Sequence, residues 1–86
     1  MSHWNHRVIR RVDKNGNVTF GIHEVFYSPK TKKPDMWTES PVEILGDTIE
    51  DVREYLDWMI KSLDTPILTE RKNMFGKEKL IEWKTE

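Results

Sequence analysis

An α+β fold, a three-stranded antiparallel β-meander with one amphipathic helix packed on one face, is predicted by three observations. Two apolar-rich runs, residues 4–12 and 18–27, flank the turn sequence "DKNGN". A shorter run, "MWTESPVEIL", follows a loop rich in lysine and proline. One stretch only, "GDTIEDVREYLDWMIKSLDTP", carries apolar residues at helical spacing. With 86 residues and no cysteine, the chain forms one small domain held by packing alone and buries roughly 60–65% of its unfolded surface.

Asn-Gly between alternating runs is the strongest short-range hairpin signal a sequence offers. Its register decides which side chains share a face. A two-residue loop at Asn15-Gly16 would pair Ile9 with Ile22 and scatter apolar residues over both faces. A three-residue loop, Lys14-Asn15-Gly16 with Gly16 left-handed as a bulge, pairs Trp4 with Phe26, Val8 with Ile22 and Val12 with Val18. The first face then reads Trp4, His6, Val8, Arg10, Val12 against Val18, Phe20, Ile22, Glu24, Phe26. The second reads His3, Asn5, Arg7, Ile9, Arg11 against Thr19, Gly21, His23, Val25, Tyr27. Because a one-residue slip turns every side chain over, the register that gathers the large apolar residues is preferred. The first face is expected to be the core and the second to be open.

The third strand, over residues 36–45, is limited by Pro41 and so expected at an edge. For the helix, Thr48 is the N-cap, acids fill the first turn, and Pro66 stops the chain of turns after Leu63. Ile49, Val52, Leu56, Met59 and Leu63 form one stripe, expected to lie on the first face of the sheet. Residues 1–70 are taken as the domain, and residues 71–86 as a charged C-terminal tail or an added strand.

Net charge is −1, but it is segregated: residues 1–34 carry seven Lys or Arg against two acids, residues 35–70 two against ten, residues 71–86 five against three. That layout favours salt-sensitive recognition of a charged partner. No apolar run reaches the ~18 residues of a membrane span. No secretory leader is evident and no thiol is present, so a cytoplasmic protein without membrane contact is expected.

No catalytic site is expected. His23 and Glu24 are adjacent and so point to opposite faces, and His6 opposite Glu24 has no nucleophile or second acid beside it. His3 and His6 likewise face apart, with no Cys to complete a ligand set, so neither metal nor cofactor is expected. The candidate partner-binding residues are Arg7, Arg11, His23 and Tyr27 on the open face, with Trp58 at the helix edge and Trp83 in the tail. The leading function is a non-catalytic protein-binding module, monomeric or paired with a second copy by sheet edges. The alternative is a nucleic-acid-binding module that uses Arg7, Arg11, Lys30, Lys32 and Lys33 on phosphates.

Taken in order, "WNHRVI", "FGIHEVFY", "MWTESPV" and "TPIL" resemble a family of small uncharacterised proteins of bacteria and their phages. The resemblance covers residues 4–68 and marks Trp4, Asn5, Arg7, Ile22, His23, Glu24, Trp37, Thr38 and Pro66. His6 departs from the aromatic that the family carries there. The family implies no activity; a phage-encoded inhibitor of a host protein complex would fit the size and the charge layout.

Overall fold

The computed structural model describes residues 3–84. Its elements run β1 (His3–Val12), β2 (Val18–Tyr27), β3 (Pro34–Trp37), α1 (Ile49–Ser62), β4 (Leu68–Lys72) and β5 (Glu78–Glu82). The fold is α+β with one helix, as expected, but the sheet has five strands rather than three, in the order β3-β2-β1-β4-β5. It is mixed rather than antiparallel: β4 lies parallel to β1, with Ile9 beside Leu68 and Arg10 beside Thr69.

The hairpin register follows the bulged loop. Trp4 pairs with Phe26, Val8 with Ile22 and Val12 with Val18. Gly16 sits at φ 85°, a conformation an L side chain adopts only with strain. The Asp13 carboxylate accepts from the amides of Asn15 and Asn17. The β4–β5 hairpin repeats this turn atom for atom. Asn73 Oδ1 accepts from the amides of Phe75 and Lys77, and Gly76 has φ 79°. The C-terminal residues therefore add a strand, and a division at residue 70 falls inside β4.

The third strand covers only Pro34–Trp37, at an edge, and residues 38–45 continue along β2 without regular structure. Two backbone bonds still anchor them, Thr38 N–H to Glu24 O at 3.0 Å and Val42 N–H to Ile22 O at 2.8 Å. Gly21 lets this segment close in, because a Cβ there would stand 3.0 Å from Pro41 Cγ.

With β4 and β5 added beside β1, the sheet curls until β3 and β5 touch, giving a nearly barrel-like form. The inside of the curl is the second face. Its core is Ile9, Val25, Leu68 and Leu80, with Tyr27 and Trp37 packed against them. The expectation that the first face forms the main core is thus corrected, although the register behind it holds. A tightly curled sheet has a narrow concave side, which accommodates β-branched Ile9 and Val25 and a glycine better than Trp4, Phe20 and Phe26.

The helix is capped as expected: Thr48 Oγ1 accepts from the Asp51 amide at 3.1 Å, and Leu63 closes the last turn. Its packing differs from expectation. It covers one end of the first face, where Met59, Ser62, His6 and Val8 are buried, while Ile49, Leu56 and Leu63 are exposed. At about 100° per residue, the buried side is turned by roughly 60° from the centre of the apolar stripe. Half the stripe meets the sheet and half meets solvent.

Candidate functional site

On the second face the side chains expected to greet a partner are engaged with one another. His23 is 1% exposed, and its ring Nδ1–H donates to Thr38 O at 2.8 Å. Burial pushes its pKa down, with the Arg11 charge adding to that and the Thr38 carbonyl and Glu70 opposing it. Arg7 donates to the Tyr27 hydroxyl at 2.9 Å and to Pro66 O at 2.7 Å, and Tyr27 donates on to Asn5 Oδ1 at 2.9 Å. Arg11 pairs with Glu70 at 3.1 Å and donates to Glu39 O. Glu70 also accepts from Trp37 Nε1 at 2.8 Å.

The structure therefore brings Arg7, Arg11, His23 and Tyr27 to one face, as the register requires, and closes it in part: His23 is buried, whereas Arg11 stays half-exposed in an open cleft with Thr19, Trp37 and Glu70. The face lines the inside of the curl because β4, β5 and the Pro41 segment cover it. Both arginines brace neighbouring segments with the ends of their side chains. Lys30, Lys32 and Lys33 lie in an exposed loop built on Ser28, whose carbonyl accepts from the Lys32 amide and whose hydroxyl accepts from the amides of Lys30 and Thr31, and Lys32 shares a cleft with Asn5 and Tyr27. Trp83 packs edge-on against Phe20, 5.8 Å between ring centroids, with the Arg10 guanidinium 5.1 Å from its ring. It covers part of the first face that the helix leaves bare.

Trp58 has a different setting. His6 is buried on the first face within an aromatic enclosure: Trp4 at 5.3 Å edge-on, Tyr55 at 6.2 Å and Trp58 at 6.3 Å. Its Nε2 is buried without a hydrogen-bond partner. Desolvation lowers its pKa, partly offset by Glu24 across the strand pair. The imidazole is thus packed as a ring among three others. No hydrogen bond links it to the Glu24 carboxylate; the bonds of Glu24 are those of its backbone, to Thr38.

Trp58 itself is exposed and separates two clefts. One, of about 470 Å³, is lined by Asp47, Asp51, Glu54, Tyr55, Leu45 and Gly46. The other, of about 390 Å³, is bounded by Trp4, His6, Lys61 and Thr65. Sequence reasoning singled out Trp58 but missed its neighbours Tyr55 and Trp4, the latter expected on the core face. The signal that could have found them is the i, i+3 spacing of Tyr55 and Trp58, which places the two rings on one helix flank.

Among the described residues no group of three or more His, Cys, Asp or Glu is arranged to hold a metal ion. No helix among them is long and apolar enough to cross a membrane. No family model, no curated protein and no solved structure matches the chain. The resemblance carried by "WNHRVI" and "FGIHEVFY" rests on those motifs alone.

Proposed function

We propose that the chain is a non-catalytic interaction module that holds a Lys- or Arg-bearing segment of another protein at the Trp58 edge. The observation that carries this reading is an exposed tryptophan standing beside three carboxylates, Asp47, Asp51 and Glu54, in one open cleft. An indole face attracts a guanidinium or ammonium group, and carboxylates within a few ångströms supply the countercharge. Partly exposed Trp is also the side chain most often found to anchor a protein contact. Trp4 widens the apolar floor on the far side of Trp58. A small module that covers a basic segment of a larger assembly would act as an inhibitor of that assembly.

The test is a titration of the labelled protein with an Arg- and Lys-rich peptide, followed by amide and indole NMR shifts, with a Glu-rich peptide as control. Saturable shifts are expected at Trp58, Tyr55 and Glu54, weakening with salt and lost in Trp58→Ala but not in Trp83→Ala. Absence of shifts at millimolar peptide would overturn the reading. So would a single-stranded oligonucleotide that moves Lys30, Lys32 and Lys33 while the peptide moves nothing.

A further inference from the structure

The helix carries a second surface, on the flank opposite Trp58. Ile49, Leu56, Ile60 and Leu63 fall within about 60° of arc, and three of them are more than half exposed: Ile49 67%, Ile60 61% and Leu63 63%. Four large aliphatic side chains in one line on a 14-residue helix form a strip that water disfavours, at roughly 25 cal/mol per Å² of apolar area. The molecule as a whole exposes 7051 Å². A compact monomer of 10.3 kDa exposes about 5,400 Å². The excess, roughly 1,700 Å² over the whole molecule, reflects its extended shape, and the strip is one apolar part of it.

Beside this strip, on the flank away from Met59, runs a row of charges, Glu50, Arg53, Asp57 and Lys61, alternating in sign. None of them takes part in an ion pair among the described residues. When two such helices lie antiparallel across a twofold axis near Leu56, the same flank of each meets the other in reversed order. Glu50 of one copy then faces Lys61 of the other, and Arg53 faces Asp57. Parallel packing would instead set the row against the opposite flank of the other helix, the Val52–Met59 side, where it meets no charge. The helix ends also complement each other only in the antiparallel arrangement.

We infer that the exposed strip Ile49-Leu56-Ile60-Leu63 is a self-association interface, on which a second copy of this chain packs its own α1 antiparallel, with the twofold near Leu56. The contact is isologous and closes as a dimer rather than a chain. It uses neither sheet edge; β3 and β5 already meet each other. It leaves the Trp58 clefts facing outward on both copies and does not depend on what binds there.

Sedimentation equilibrium on the full chain tests it. The mass is expected to rise with concentration from 10.3 kDa toward twice that value. Ile60→Glu, at a position already exposed and so compatible with folding, should weaken dimerisation about tenfold or more. Arg53→Asp and Asp57→Arg should each weaken it, whereas an equimolar mixture of the two variants should dimerise better than either alone, because each opposes the charges of the other. A monomeric mass at millimolar protein would overturn the inference. A dimer indifferent to Ile60→Glu would do the same, as would a mixture of the charge variants no tighter than its parts. Circular dichroism on each variant separates loss of association from loss of fold.

Discussion

The two faces of the β1–β2 hairpin bury different things for different reasons. The outer face holds the larger apolar side chains, yet Trp4, Val12, Val18 and Phe20 are exposed there. The inner face holds fewer apolar atoms and two arginines, yet Ile9, Val25 and His23 are its best-buried side chains. The difference teaches that closure outranks hydrophobic content. Whichever side the added strands curl over becomes the interior, and long polar side chains on that side are retained by satisfying their ends, as Arg11 does with Glu70.

If closure decides burial, substitutions on the two faces should separate in size. Ile9→Ala, in the inner core, is expected to cost about 3 to 4 kcal/mol of unfolding free energy in urea titration, whereas Phe20→Ala on the outer face should cost less than about 1.5 kcal/mol. Equal losses would break the comparison. A smaller effect tests the polar bracing of the inner face. Glu70→Leu removes the acceptor of both Arg11 Nη2 and Trp37 Nε1, while Arg11 keeps Glu39 O, and should cost about 2 kcal/mol by the same measurement. No loss would mean that the arginine is solvated rather than bracing.

The smallest effect has the opposite sign and sharpens the contrast on the outer side. His6→Phe replaces an imidazole with an orphaned Nε2 by a ring without one, and should stabilise by about 1 kcal/mol. It should also flatten the pH dependence. His6 and His23 both have lowered native pKa values, so each stays neutral in the fold after the unfolded chain has begun to protonate. Stability is therefore full above the unfolded value of about 6.5 and falls as pH drops through it toward the native values. Urea titrations at pH about 7.5 and about 5.5 should show that loss, and His6→Phe should remove part of it and leave the share of His23.

Local features were the legible ones. Gly16, Thr48 and Pro66 act within a few residues of themselves, and the turn, the helix start and the helix stop all follow. The register followed too, because alternation plus one bulge admits a single arrangement that sorts the side chains. What the alternation did not say was which sorted face would be closed over. That depended on β4, whose "LTERK" is too polar to announce a strand and gains its place by pairing with β1 over a separation of nearly sixty residues. The second hairpin did have a signal, an Asx with Gly three residues on, in "NMFG" as in "DKNG". Met74-Phe75 between them obscured it, since turns are sought among polar residues.

Of the candidate site, Trp58 was identifiable from its position on the helix rim. The arginine face was expected to be fully open for the same reason that the core was misplaced: nothing local says which side β4 and β5 curl over. The helix stripe was traced correctly in sequence, but an amphipathic pattern gives the width of an apolar surface and not how many neighbours share it. Here the sheet takes only half.

The twin turns have one more consequence. In each hairpin the bend is held by an Asx carboxylate or amide oxygen, backbone amides and a left-handed glycine. The two apex side chains contribute nothing to it. One apex carries Lys14-Asn15; the other lifts Met74 and Phe75 into water at 90% and 86% exposure. The apex is a free variable of this architecture, open to rewriting, grafting or display without disturbing the frame below.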